Sequence, residues 1–113
     1  MIDTIFRLGE AVRYVAVYRD GRLEMRSRQG TAGASRSESD RYEELLVNPT
    51  LLKLASQRGD IDCGGLHSLL LRYGNFYTYV LPTESGHVSV GIELDADALG
   101  LARQIDVVVQ DES

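Results

Sequence analysis

The sequence predicts an α+β domain: a five-stranded antiparallel sheet with helices on both faces, in the order αββαβββα. Three observations carry this. A strand–turn–strand unit runs through RYVAVYRDGRLEMRSR, with Asp20-Gly21 at its centre. Three strand-like segments joined by short turns fill residues 66–94. The C-terminal stretch then places Ala98, Leu101, Ala102, Ile105, Val108 and Val109 on one helical stripe. With 113 residues, the chain is read as a single domain over 1–113 with one modest core.

Ile2, Ile5, Phe6 and Gly9 keep helical spacing, which predicts a short first helix over about residues 3–10. Residues 14–18 are aromatic and β-branched, as strands prefer. Asp20-Gly21 suits a type I′ hairpin, whose central residues both need positive φ. Beyond it, Leu23 and Met25 alternate with Arg22, Glu24, Arg26 and Arg28, the pattern of a strand with one wet face. The preceding strand lacks this polar alternation and is expected to be more central. Residues 29–37 are small and polar and predict a loop.

A second helix is expected to begin near Ser37 or Ser39, either of which can cap it. Pro49 cannot donate a hydrogen bond and crowds the carbonyl four residues earlier. Asn48 is therefore expected to cap a fresh turn, giving one kinked helix or two short ones that stop at Gly59-Asp60. Strands follow at about 66–73, 76–81 and 87–94. The first of these, with Leu69, Leu70 and Leu71 in a row, is hazardous as a bare edge. In the last, Val88, Val90, Ile92 and Leu94 share one face, and His87, Ser89, Gly91 and Glu93 the other. The small Ser89 and Gly91 imply that this second face is covered too. Asp95 or Asp97 is expected to cap the final helix, and the last four residues to fray.

The formal net charge of −5 argues against nucleic-acid binding as the main task. The charge is uneven: residues 1–41 carry a local +2 and residues 42–113 a local −7. The arginines between Arg19 and Arg28 suggest a solvated strand face or a docking patch for an acidic partner. No apolar run reaches bilayer length, so no membrane insertion is expected. Asp3, Arg7, Glu10 and Arg13 interrupt the apolar stretch a signal peptide needs, which points to a cytoplasmic protein.

Chemistry-bearing residues are few. Cys63 is the sole cysteine, and His67 and His87 the sole histidines, without metal-ligand spacing. No cofactor or metal is expected. His87 with Glu84 or Ser85 is the one candidate acid–base arrangement, weighed against a strand-start histidine with a bridging role. Cys63 before Gly64-Gly65 lacks the surroundings of a known nucleophile loop. The chain is read as non-enzymatic. The alternative is a small-molecule sensor of PAS-like or profilin-like type, with a pocket lined by Tyr14, Tyr77 or Tyr79.

The segments VAVYRDGRL and VSVGIELDADALGLAR, the latter with Leu-Gly-Leu near the start of its helix, resemble the Roadblock / dynein light-chain family. The resemblance covers about residues 2–109 and shares the αββαβββα order. It implies a homodimer, or a heterodimer with a paralogue, in which second helices pack together and third strands pair into one sheet. It also implies scaffolding or regulation of a small Ras-like GTPase. Tyr42, Leu45, Leu46, Leu52, His67, Leu69 and Leu71 are then the expected dimer-interface residues. The sequence departs from the family at Pro49, where the second helix is usually unbroken.

Overall fold

In the computed structural model, which describes residues 1–28 and 37–112, the predicted strands form β1 (Val12–Arg19), β2 (Arg22–Ser27), β3 (Leu69–Arg72), β4 (Tyr77–Thr83) and β5 (Gly86–Ile92). They make one antiparallel sheet in the order β2-β1-β5-β4-β3. The β1–β2 turn is the predicted type: Asp20 and Gly21 have φ of 53° and 80°. β1 lies inside the sheet and β2 at its edge, as the alternation of polar residues implies. β3 occupies the opposite edge.

Antiparallel register sorts the side chains. Tyr14 pairs with Gly91, Ala16 with Ser89 and Tyr18 with His87 across β1–β5, while Val15 pairs with Val90 and Val17 with Val88. The second set, with Tyr79, Leu81 and Ile92, joins one core with Ile5 of helix α1 (Ile2–Phe6). Helix α4 (Ala98–Glu112) seals that core with all six residues of its predicted stripe. Asp97 caps α4 by accepting the Gly100 amide at 3.1 Å. Contrary to the expected fraying, α4 continues to Glu112, whose carboxylate meets the Met1 amino group at 2.8 Å; Ser113 lies outside the described residues. α1 is shorter than expected. Arg28 donates to the carbonyls of Phe6, Gly9 and Val12 at 3.0, 2.9 and 2.7 Å, so these carbonyls serve the turn into β1.

The opposite sheet face is covered by a helical limb: α2 (Ser37–Tyr42), a π-helical turn (Glu43–Val47) and α3 (Asn48–Asp62). Of the two forms expected at Pro49, two separate short helices are not seen and the limb runs on as one. Val47 and Asn48 both keep right-handed helical angles, and the wider π turn falls just where proline withholds its hydrogen bond. Asn48 is therefore no cap. The expected stop at Gly59-Asp60 is also passed. The chain turns out of α3 at Gly64 and Gly65, with φ of 78° and 87°, where the Gly65 amide reaches back to the Gly59 carbonyl at 3.1 Å. Of the loop predicted over 29–37, residues 29–36 lie outside the described residues and Ser37 begins α2. Gly91 carries its place for a steric reason: a Cβ there would meet Tyr14 Cβ at 3.2 Å. Gly91 thus makes room for its neighbours Tyr14, Arg13 and Phe76, while Ser89 on the same face is fully buried.

Candidate functional site

The limb turns one line of residues, Glu44, Asn48 and Leu52, toward the sheet at i, i+4 and i+8. Two of the three are polar, and Glu44 retains only 1% of its exposure. A carboxylate so buried needs donors on every side. It has them. Tyr14 on β1 donates its hydroxyl to Oε2 at 3.0 Å. Asn48 donates its amide to Oε1 at 3.0 Å. His87, itself 2% exposed, places Nε2 2.8 Å from the same oxygen. Facing a carboxylate, Nε2 is the natural site of the ring proton. The Tyr18 ring lies 5.7 Å from the imidazole. Burial first, and then the Glu44 charge, push the Tyr14 phenol far above its ordinary range, so it stays a donor.

This cluster joins three elements, β1, β5 and the helical limb, with one carboxylate. His87 is thus the bridging residue at a strand start, and its partner is Glu44, across 43 residues of sequence, rather than the adjacent Glu84, which is exposed. The strand that holds it is interior, not an edge. The pair lies sealed beneath the limb and ties helix to sheet. Asn48 Oδ1 and Ser89 Oγ meet no hydrogen-bond partner among the described residues.

With Glu44 inward, the limb's apolar residues that remain face out. Tyr42, Leu45 and Leu46 are exposed, as expected of interface residues. Leu54 and Ile61 are more open still for aliphatic side chains, at 60% and 75%. Neither is among the expected interface residues; Leu54 follows Leu46 by eight residues and Ile61 follows Leu54 by seven, a helical spacing that is the signal for them. Leu52 differs from expectation. At 9% exposure it belongs to the interior, because it follows Glu44 and Asn48 by whole turns. His67 is exposed just ahead of β3. Leu69 and Leu71 are half-buried and share their sheet face with Val80 and Thr78, on the limb's side. Leu70 points the other way and is exposed. Apolar residues of the limb and an open strand edge are thus both at the surface.

Other candidates separate. Of the tyrosines expected as alternative pocket residues, Tyr14 lies on the limb's face of the sheet, whereas Tyr77 and Tyr79 pair with Ile92 and Val90 on the α4 face. Tyr79 donates to Asp106 of α4 and Tyr77 lies under Arg72. Cys63 is exposed at the end of α3, with Arg58 Nη1 3.3 Å from its sulfur. Of the basic stretch, Arg26 binds Asp3 and Arg28 holds the carbonyls named above, so both fasten the N-terminal turn to β2. No three His, Cys, Asp or Glu side chains gather into a metal-binding group among the described residues. No helix among them is long and apolar enough to cross a membrane.

The fold defines an α+β domain with a helical layer on each sheet face, the limb's exposing Tyr42, Leu45, Leu46, Leu54 and Ile61 among charged residues. Comparison with protein-family models and with curated protein sequences returned no match.

Proposed function

We propose that the protein is a non-enzymatic dimeric adaptor of the Roadblock type that scaffolds or regulates a small Ras-like GTPase. The observation that supports the dimer is twofold: Leu46, Leu54 and Ile61 are exposed on the limb, and the leucine-rich β3 is an open edge of the sheet. Apolar side chains grouped in this way mark an association surface. A bare strand edge adds unpaired backbone donors and acceptors to it. A second copy related by two-fold symmetry satisfies both, pairing β3 with β3 and limb with limb. The continuous helical limb supports the family resemblance at the point, Pro49, where the sequence departed from it.

Light scattering of the purified chain at micromolar concentration tests this directly. The expected mass is that of two chains. Leu54→Asp, which buries a charge in the proposed interface, should yield monomers with unchanged circular dichroism, at a cost of several kcal/mol to association. A wild-type chain that stays monomeric sinks the dimer. Co-purification of a nucleotide-loaded GTPase with the wild type, and its loss with the monomeric variant, tests the adaptor role.

A further inference from the structure

A groove of about 670 Å³ opens between α2 and the β3–β4 turn, away from the buried Glu44 cluster. That size is typical of ligand sites. It is lined by Glu38, Tyr42, Glu43 and Val47 from the limb and by Tyr73 and Phe76 from the β3–β4 turn. The Tyr73 and Phe76 rings sit 5.5 Å apart and tilted by 45°, so they offer two differently inclined faces. Phe76 already shows what those faces hold: the Arg13 guanidinium rests 5.1 Å from its centre. Arg13 is in turn paired with Glu93 at 3.3 Å, which balances the rim. No basic side chain is among the described residues lining the groove itself.

Two groups on different elements report the same local field. Burial, then the neighbouring Glu44 and Asp40 charges, raise the Glu43 carboxyl to about 7. Burial, then Glu43 and Glu44, raise the Tyr73 phenol. Burial is the main cause of both shifts and neighbouring carboxylate charges add to it, in an aromatic cleft lined by no positive partner among the described residues. An anion would be repelled, and a purely apolar group would leave the Glu43 carboxylate desolvated and unpaired. A cation on an apolar stem satisfies both the carboxylate and the rings.

We infer that this groove receives a lysine or arginine side chain from a basic segment of a partner protein, its charged group meeting Glu43 and its stem lying against Tyr73 and Phe76. The inference rests on reading the protein as an interaction module, and it names the chemistry of the partner. The limb then serves two contacts, its leucines for a second copy and its N-terminal end for a basic chain. Tyr42 lies between them and is left unaltered in the test.

The test is an NMR titration of the full chain with an end-blocked Gly-Lys-Gly peptide and, in parallel, its Nε-acetylated counterpart. The charged peptide should shift the amides of Glu43, Tyr73 and Phe76 saturably, and the acetylated one should leave them in place. Glu43→Gln, which keeps the shape and removes the charge, should weaken binding about tenfold. Phe76→Leu should weaken it about threefold. Equal response to both peptides, no response to either at millimolar concentration, or wild-type affinity in Glu43→Gln overturns the proposal. Light scattering on the same samples separates the failures. A dimer that ignores the lysine peptide loses only the groove, and a monomer that binds it loses only the dimer.

Discussion

The two faces of the sheet are covered by helices in opposite ways. On the α4 face, Val15, Val17, Val88, Val90 and Ile92 meet Leu101, Ile105, Val108 and Val109, and the contact is mainly apolar, with the Tyr79–Asp106 hydrogen bond beside it. On the limb face, the sheet offers Tyr14, His87, Ser89 and Thr78, and the helix answers with Glu44 and Asn48. Apolar burial is non-directional and is strongest when a helix turns its whole apolar stripe inward, which α4 does. A buried carboxylate with three donors is directional, and it fixes one helix in one orientation. The limb turns Leu52 inward with Glu44 and Asn48, and Leu45, Leu46 and Leu54 are left for the outside. The first layer makes the domain stable; the second holds a surface in position.

The sharpest way to break this contrast is to remove the anchor. Glu44→Ala strands His87, Tyr14 and Asn48 without their shared acceptor, and loss of one member of a buried charged cluster costs about 3–5 kcal/mol. Urea unfolding at neutral pH measures the loss. Hydrogen exchange locates it: amides of α3 should lose protection ahead of those of α4. Equal loss on both layers would show that the two faces open as one unit.

Ile105→Ala probes the other layer. Ile105 is fully buried at the centre of the α4 stripe, and truncating such a side chain costs about 2–4 kcal/mol through lost burial and the cavity left behind. Here the decrease should be cooperative, with β1, β5 and α4 exchanging together. A local loss confined to α4 would mean that this face, too, is held as a separable piece.

The contrast also explains how far the sequence could be read. The α4 face follows one rule, apolar residues at the period of the element, and every residue of its stripe is where the spacing puts it. The Asp20-Gly21 turn is equally local, since its φ values depend on two residues. The limb obeys no single period. Glu43 and Glu44 are the same residue type side by side, and only the register through the π turn decides that Glu44 goes inward. Proline announced an irregularity at that point but not its form, because a π turn and a break both dispose of the missing hydrogen bond. Glu44 and His87 meet across 43 residues, so nothing in either neighbourhood advertises the other. Leu52 was placed on the surface for the same reason: its direction follows from Glu44 and Asn48, which look like solvent residues until the sheet opposite them is known.

The smallest expected effect tests the charge left on the open layer. Glu43 sits beside the anchor without sharing its donors, half-buried and raised to about 7 from an ordinary 4.5. Burial is the main cause, followed by the Glu44 and Asp40 charges from its own limb; the Thr78 hydroxyl on β4 acts in the opposite direction. Tyr14 on β1 and Tyr73 on the β3–β4 turn also feel its charge. A carboxyl whose pKa is higher folded than unfolded holds its proton longer in the native state. Between pH 4.5 and about 7 the native chain therefore binds more protons than the unfolded one, and stability falls as pH rises through that window. Glu43→Gln removes this dependence and leaves every other group in place. Melting temperatures of the two chains should converge near pH 5 and diverge by pH 8, with the variant the more stable. Parallel curves across that range would show that the Glu43 carboxylate is as well solvated in the groove as in the unfolded chain, and the groove would then have no unmet negative charge to offer a cation.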